Sequence, residues 1–336
     1  MKRRRDEAAA GDAATLLEPI LALHNAIRDA VVDACVRQSL DQLASTANDT
    51  GEGDTIYAID RVGENALLRG LSGLPANESV YVIAEGLDEP LIVPHGTNEG
   101  DCRWRMLVDP LDGTRGLMYQ KRSAWVLTGV APNRGPATRL SDIRLAVQTE
   151  IPLVKQHLSD QLWAFREAGM QARRWNRLTG TWQSLTLRRS GASTIAHGFA
   201  TVVRFFPGAR EILGAIDDEV VQALVQPEPR RAACFEDQYA STGGELYELI
   251  AGHDRVIADL RPLVQPAGLC CHPYDICTEL IAREAGVQVT NPVGAPLDAP
   301  LDLTSDVAWL GYANETLRRA IEPVLRESLR RRGLLK

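Results

Sequence analysis

The sequence predicts a layered α/β protein, and three features of the chain indicate this class. An amphipathic helical pattern runs over residues 13–43, as one helix or as two joined near Arg28. Short apolar runs separated by turn residues follow as far as residue 187, which is typical of a mostly antiparallel sheet. From about residue 190 strands and helices alternate, which favours an α/β second half.

Length and composition agree with a chain of two parts. Its 336 residues exceed the size of most single hydrophobic cores, and 45% hydrophobic with 24% charged residues is ordinary for a globular protein. The first dozen residues are rich in charged and small side chains, as flexible starts are. We predict a flexible N-terminus, an N-terminal α+β metal-binding domain and a C-terminal α/β domain at residues 1–12, 13–189 and 190–336.

Charge and targeting signals narrow the possible partners and location. A net charge of −7 argues against a nucleic-acid polymer as partner, because such proteins present a basic surface. No apolar run is long enough to cross a membrane, and Asp6 and Glu7 follow the basic start where a signal peptide would be apolar. The six cysteines show no disulfide framework. We therefore expect reduced thiols, no membrane partner and a cytoplasmic location.

The first half supplies most of the predicted strands, each an apolar or β-branched run bounded by turn residues. Residues 45–53 are polar and predicted to form a loop, 55–60 an extended segment and 62–71 a helix. Further strands are predicted at residues 80–84, 91–93, 103–108, 123–130, 143–149, 161–166, 171–175 and 182–187.

In the second half, helical spacing and apolar runs alternate, with a proline-punctuated connection at residues 226–229. Strands are predicted at residues 199–206, 255–260, 287–291 and 307–312. Helices are predicted at residues 208–224, 242–252, 272–286 and 314–332.

Two carboxylates, Asp109 and Asp112, follow the buried strand at 103–108 and precede a glycine turn. Such close acids repel each other unless a cation lies between them, and Mg²⁺ prefers oxygen ligands of this kind. The amides of Gly113, Thr114 and Arg115 would then form a phosphate seat at a helix N-terminus. Asp-Pro and Asp-Gly are also ordinary turn dipeptides, so a plain turn explains the same residues.

Two more acids fit the same picture. The strand at residues 80–84 ends on Glu85, and Asp275 is predicted in the first turn of a helix that begins at Pro273. An aspartate at that position also stabilises a helix without any ligand, which is the alternative interpretation of Asp275.

The acids belong to three sequence blocks that occur in order along nearly the whole chain: Asp109-Pro110-Leu111-Asp112-Gly113-Thr114, the strand ending at Glu85, and Tyr274-Asp275-Ile276. In this order they resemble the inositol monophosphatase family. That family belongs to the superfamily of metal-dependent, lithium-sensitive phosphatases that includes fructose-1,6-bisphosphatase. The resemblance implies an α-β-α-β-α sandwich with a larger, mostly antiparallel sheet and a smaller mixed sheet, and a possible homodimer.

The resemblance also implies a role for individual residues. It implies that Glu85, Asp109 and the Leu111 carbonyl bind one Mg²⁺. Asp109, Asp112 and Asp275 would bind a second Mg²⁺, and Glu85 would also lie near a third. Mn²⁺ can substitute for Mg²⁺. Asp60 and Thr114 would orient and deprotonate the attacking water, with Glu85 also in the catalytic set, and the Gly113 and Thr114 amides would hold the phosphate. The implied activity is Mg²⁺-dependent hydrolysis of a small phosphate monoester, such as an inositol monophosphate-like polyol or a sugar phosphate.

The chain departs from the family pattern in two places. Gly86 stands where a second acid is usual, with Asp88 and Glu89 as possible replacements. This leaves open a catalytically silent member that binds a phosphorylated ligand. Arg115 followed by glycine is closer to members that hydrolyse 3′-phosphoadenosine 5′-phosphate, although a surface helix residue is the alternative for Arg115.

Two further stretches are predicted to matter. Ser241, Thr242 and Gly243 would contact the substrate, with Asp259 or Arg261 nearby, although a simple helix N-cap explains the serine and threonine equally well. Cysteines also surround His272, at Cys270-Cys271 and Cys277. We do not assign zinc there, because adjacent cysteines rarely both bind one ion.

Overall fold

The fold is described from a computed structural model over residues 2–48, 55–226, 230, 232–266 and 268–335, with side chains from residue 13 onward except at 47 and 48. The helices are α1 Lys2–Arg37, α2 Leu40–Leu43, α3 Ala58–Gly70, α4 Thr114–Met118, α5 Arg210–Val225, α6 Thr242–Ala251, α7 Arg261–Val264, α8 Glu279–Glu284 and α9 Glu315–Arg331. The strands are β1 Thr46–Asn48, β2 Ile56–Tyr57, β3 Val80–Ala84, β4 Leu91–Val93, β5 Trp104–Asp112, β6 Ala124–Pro132, β7 Leu145–Ile151, β8 Leu158–Phe165, β9 Met170–Asn176, β10 Thr181–Ser184, β11 Phe199–Val202, β12 Asp254–Asp259, β13 Gln288–Thr290 and β14 Trp309–Tyr312.

The large sheet has eight strands in the order β10-β9-β8-β7-β6-β5-β3-β4. Only β3 and β5 run parallel; the other neighbours are antiparallel, which confirms the predicted sheet type. A parallel pair has its carboxyl ends at one edge of the sheet. Glu85, after β3, therefore lies beside the end of β5.

The small sheet has four strands in the order β11-β12-β14-β13, with β11 and β12 parallel and the other pairs antiparallel. Helices α1 and α3 cover the outer face of the large sheet, and α5 and α9 pack on the outer face of the small one. Helices α6 and α8 lie between the two sheets. This layering is the predicted sandwich.

Helix α1 continues through Arg28 to Arg37, so of the two predicted arrangements the single long helix is confirmed and the joint at Arg28 is not found. The chain breaks instead before Ser39, whose hydroxyl caps α2. Arg28 is buried on the large sheet, with its guanidinium 5.7 Å from the Trp175 ring and 5.6 Å from the Trp182 ring. The helix begins at Lys2, whereas the flexibility of residues 1–12 stays a prediction and Met1 lies outside the described residues.

Two predicted elements are wrong in extent. The extended segment at 55–60 is strand only at β2, and α3 begins at Ala58 because Ile59, Ala66 and Leu67 form a buried helical face. The helix predicted at 272–286 is regular only in α8, and residues 273–278 form tight turns, such as Asp275 N to His272 O at 3.1 Å. The predicted loop at 45–53 contains β1, and its residues 49–53, like 227–229, lie outside the described residues.

The two sheets fall on either side of the predicted domain boundary, since β10 ends at Ser184 and β11 begins at Phe199. One hydrophobic core nevertheless contains Leu127 of the large sheet together with Leu246 and Trp309 of the second half. The division at residue 189 stays a prediction.

Candidate active site

A cleft of about 920 Å³ lies where β3 and β5 end. Its walls include most of the residues that the sequence singled out, namely Glu85, Asp109, Leu111, Asp112, Gly113, Thr114, Arg115, Ser241, Thr242 and Asp275. Two predicted residues, Asp60 and Gly243, are not among the described residues that line the cleft. Both instead contact residues of the wall, as shown below.

A bulge in β5 brings Asp109 and Asp112 to one side of the sheet. Asp109 pairs with Leu127 of β6 and Asp112 pairs with Trp125, so two residues of β5 lie opposite one of β6. The Asp109-Pro110 dipeptide is thus part of the strand itself, and the predicted glycine turn follows it at Gly113. The Leu111 amide donates to Asp109 Oδ1 at 2.9 Å and fixes that carboxylate.

The carboxylate oxygens of Asp109, Asp112 and Asp275 lie within 4.8 Å of one another. Burial raises the pKa of Asp109 well above its ordinary value, and the charges of Glu85, Asp112 and Asp275 raise it further. Burial and the charge of Asp275 raise the pKa of Asp112 to about 8. The pKa of Glu85 is also raised well above normal, by burial and then by Asp275. Because the charged forms of these buried carboxylates are unfavourable so close together, the cluster suits a divalent cation that takes oxygen ligands.

The start of α6 holds Asp112 in place. Asp112 Oδ2 accepts hydrogen bonds from Ser241 Oγ at 2.8 Å and from the Gly243 amide at 2.6 Å. Ser241 is also the N-cap of α6, accepting from the Gly244 amide at 2.9 Å. The N-cap interpretation is therefore confirmed for Ser241, while contact of Ser241, Thr242 and Gly243 with a substrate stays a prediction.

Gln148 supports this arrangement and was missed by the sequence analysis. Its side chain donates to the Gly243 carbonyl at 2.7 Å and accepts from Thr278 Oγ1 at 3.0 Å, all three residues being buried. The available signal was a polar amide in the otherwise apolar run at the start of β7.

Asp275 is positioned by a turn and not by a helix N-terminus as predicted. Its Oδ2 accepts from the backbone amide of His272 at 2.6 Å, within the turns that precede α8. Pro273 cannot donate a backbone hydrogen bond, and the chain here forms tight turns with hydrogen bonds between residues three apart before the regular helix starts. The predicted contribution of the helix dipole at Asp275 is therefore wrong.

Thr114 and Asp60 meet as the resemblance implies. Thr114 Oγ1 donates to Asp60 Oδ1 at 2.6 Å and also lies 3.0 Å from the Leu111 carbonyl oxygen. Asp60 lies in the first turn of α3, where its Oδ2 accepts from the Tyr57 amide at 2.7 Å. Gly113, with φ of +95°, makes the left-handed turn that starts α4 at Thr114.

The acid beside Gly86 is Glu64, a residue that the sequence analysis did not consider. Gly86 has φ of +78°, and a Cβ placed there would lie 2.3 Å from Glu64 Oε1. Glu64 is buried and pairs with Arg61 at 2.7 Å, whereas Asp88 and Glu89 are exposed. Its sequence signal was a glutamate one helical turn after Asp60.

Two arginines, Arg115 and Arg261, and the Phe206 ring also line the cleft. The half-buried Arg115 guanidinium lies 5.4 Å from the Tyr57 ring and 5.8 Å from the Phe206 ring. Arg261 lies 5.4 Å from Phe206 and is held by Asp259 through hydrogen bonds of 2.9 and 2.6 Å. The sequence analysis missed Phe206, because it follows β11 as part of an apparently continuous strand.

Comparison with known proteins gives matches at the level of structure. No protein-family model and no curated protein sequence matches the chain. The extragenic suppressor protein suhB from Bartonella henselae matches with a TM-score of 0.63 at 17% identity, over 93% of this chain and 98% of that one. Fructose-1,6-bisphosphatase from Leishmania major, in holo form, matches with a TM-score of 0.67 at 13% identity, over 94% and 95%. The chain has the fructose-1,6-bisphosphatase-like fold.

The fructose-1,6-bisphosphatase-like fold confirms, as far as architecture goes, the resemblance that the three sequence blocks carry. All six cysteines are free thiols, as predicted. In the described part of the chain, no helix has an apolar stretch long enough to cross a lipid bilayer.

Proposed function

We propose that this protein is a divalent-metal-dependent phosphatase that hydrolyses a small phosphate monoester. The observation that carries the proposal is the meeting of Asp109, Asp112 and Asp275 within 4.8 Å in a cleft that Glu85 and Thr114 also line. Buried acids so close together are unfavourable without a cation, and an anionic substrate would be repelled by them. A cation resolves both difficulties at once.

The ligand set for Mg²⁺ would be Glu85, Asp109, Asp112 and Asp275 with the carbonyl of Leu111, sufficient for two or three ions, and Mn²⁺ would substitute. When bound, such ions lower the pKa of water and neutralise charge on the leaving oxygen. Ser241 and Gly243 keep Asp112 facing its neighbours, and the Leu111 amide does the same for Asp109.

Thr114 and Asp60 would handle the proton of the attacking water. Asp60 is fixed by the Tyr57 amide, so the carboxylate keeps the Thr114 hydroxyl directed toward it at 2.6 Å. With its own hydrogen donated to Asp60, Thr114 Oγ1 presents a lone pair that accepts from water in the cleft. The amides of Gly113 and Thr114 would bind phosphate oxygens at the same turn.

The substrate class is a small phosphorylated polyol or sugar. The cleft of about 920 Å³ has room for such a molecule, and one structural neighbour is named as a fructose-1,6-bisphosphatase. Cytoplasmic location, lithium sensitivity and a homodimer remain predictions from the sequence and its resemblance.

A 3′-phosphoadenosine 5′-phosphate phosphatase is a second candidate. Arg115 and Arg261 both lie near the Phe206 ring on the cleft wall, at 5.8 and 5.4 Å from its centre. In a bound nucleotide, an arginine could pair with the second phosphate, and the Phe206 ring could stack against the adenine.

The test is inorganic phosphate release from a panel of inositol monophosphates, sugar phosphates and 3′-phosphoadenosine 5′-phosphate. Each substrate is measured with Mg²⁺, with Mn²⁺, with Mg²⁺ plus Li⁺, and with EDTA. We expect release that requires the divalent ion and falls with Li⁺. Absence of release from every substrate with both metals would favour the catalytically silent alternative.

A further inference from the structure

Beside the carboxylates, the same cleft contains a second cluster of metal-binding side chains, with different chemistry. Cys270, His272 and Asp306 each place one ligand atom within 4.8 Å of the other two. Cys270 Sγ lies 3.2 Å from Asp306 Oδ1, and His272 Nδ1 lies 3.9 Å from the same oxygen. All three residues line the cleft.

These distances suit one tetrahedral zinc ion. With zinc bonds of about 2.3 Å to sulfur and about 2.1 Å to nitrogen or oxygen, neighbouring ligand atoms lie roughly 3.4 to 3.6 Å apart. The observed separations of 3.2 and 3.9 Å lie on either side of that range. A thiolate, an imidazole and one carboxylate favour Zn²⁺ over Mg²⁺, which prefers oxygen ligands alone.

The chain holds the two segments of this cluster together without help from a metal. The Val307 amide donates to the Cys271 carbonyl at 2.9 Å, which joins the residues next to Asp306 and His272. Asp302 accepts from the Ser305 amide at 2.8 Å and from Ser305 Oγ at 2.7 Å, which fixes the loop that carries Asp306. The two segments are therefore already assembled, and His272 Nδ1, which lies 3.1 Å from the Ser305 carbonyl oxygen, would leave that contact to bind a metal.

The neighbouring cysteines are not part of this cluster. Cys271 and Cys277 are fully buried, and Cys271 Sγ contacts the His272 carbonyl oxygen at 3.5 Å. The group of ligand atoms within 4.8 Å of one another therefore takes Cys270 without Cys271 or Cys277. The third ligand atom comes from Asp306, which is distant in sequence and was not considered in the sequence analysis.

We propose that Cys270, His272 and Asp306 bind one zinc ion on the cleft wall, separate from the carboxylate centre. Three protein ligands leave a fourth position, which a water or a ligand in the cleft can take. His272 also donates its backbone amide to Asp275, so the two centres are adjacent. This proposal does not depend on the proposed phosphatase activity.

Cobalt is the probe that tests it, because Co²⁺ occupies zinc sites and gives thiolate charge-transfer absorption in the near ultraviolet. The full-length protein is first saturated with Mg²⁺ and then titrated with Co²⁺. We expect thiolate absorption that saturates at one equivalent and is abolished by added Zn²⁺. The absorption should disappear in Cys270→Ser and persist in Cys234→Ser, a matched control whose half-buried thiol contacts the Gly198 carbonyl instead.

Two further variants keep the test independent of folding defects. Asp306→Asn should retain the thiolate absorption but weaken zinc affinity by roughly tenfold or more in competition with a chromophoric chelator. Asp109→Asn should leave the absorption intact, which separates this site from the carboxylate centre. Absence of thiolate absorption in the wild type, its survival in Cys270→Ser, or unchanged zinc affinity in Asp306→Asn would overturn the proposal.

Discussion

Replacing Asp112 by asparagine should stabilise the metal-free protein at neutral pH and remove much of the stabilisation that Mg²⁺ provides. The folded-state pKa of Asp112 is raised from 3.8 to about 8. Between these values the folded protein binds more protons than the unfolded chain, so the contribution of Asp112 to stability falls as the pH rises. The asparagine oxygen can still accept from Ser241 and Gly243, so the local hydrogen bonds survive.

The size of the effect follows from the same shift. One pKa unit corresponds to about 1.4 kcal/mol, so the roughly three units between the ordinary value and pH 7 set an upper limit of about 4 kcal/mol. Because part of the pKa shift comes from the charge of Asp275 and not from burial alone, we expect Asp112→Asn to gain only about 1 to 3 kcal/mol at pH 7. The gain should be small near pH 4 and grow toward pH 8.

The assay is urea unfolding of wild type and Asp112→Asn at several pH values from 4 to 8, in EDTA and in Mg²⁺. Taking the difference between the two proteins cancels the titration of every distant group. Asp41→Asn, which changes an exposed acid on α2 away from the cleft, is the control and should show no such difference. A difference that shrinks as the pH rises, or one that is the same in EDTA and in Mg²⁺, would refute the reasoning.

Two substitutions at the site and one titration of a buried histidine supply the other tests. Gly243→Ala would place a Cβ 2.6 Å from Leu127 Cδ2 and 2.9 Å from Asp112 Oδ2, so we expect about 1 to 3 kcal/mol of destabilisation and weaker Mg²⁺ binding by calorimetry. Thr114→Ala should lower the turnover number by roughly 10²- to 10⁴-fold while Mg²⁺ affinity is retained. His24 has its pKa lowered to about 3 by burial, so its NMR signals should not titrate between pH 5 and 8. The stability it contributes should be lost as the pH falls below 6.5.

Matched controls accompany these changes. Gly73→Ala adds a Cβ in open space and should leave the free energy of unfolding within about 0.5 kcal/mol of the wild-type value. Thr304→Ala removes a threonine from the cleft wall away from Asp60 and should retain most of the turnover. Equal turnover losses in the two threonine variants, or a His24 signal that titrates near pH 6.5, would contradict the corresponding assignments.

The sequence predicted the large sheet well because its central strands are buried and apolar and the strands are separated by clear turns. The strand at 80–84 coincides with β3, and the strand at 103–108 is the first part of β5, which continues through both aspartates to Asp112. Prediction failed where tertiary contacts decide local structure. Asp60 lies in a helix because α3 buries Ile59, and Asp275 lies in a turn that closes on His272.

The supporting residues of the site were out of reach of pattern analysis. Glu64 and Gln148 act through contacts with Gly86 and Gly243, which belong to other elements of the fold. Asp306 joins Cys270 across more than thirty residues of sequence. Such pairs carry no periodic signal in a single sequence, and only the folded chain brings them together.

The most direct test of the account compares phosphate release by the wild type and by Asp109→Asn. Asp109 is the acid that both proposed metal ions would share, and it is almost fully buried, with 1% of its surface exposed. The account predicts Mg²⁺-dependent release by the wild type and a complete loss in Asp109→Asn, with the far-ultraviolet circular dichroism spectrum unchanged. Turnover that survives the substitution in a folded protein would contradict the metal-centred active site.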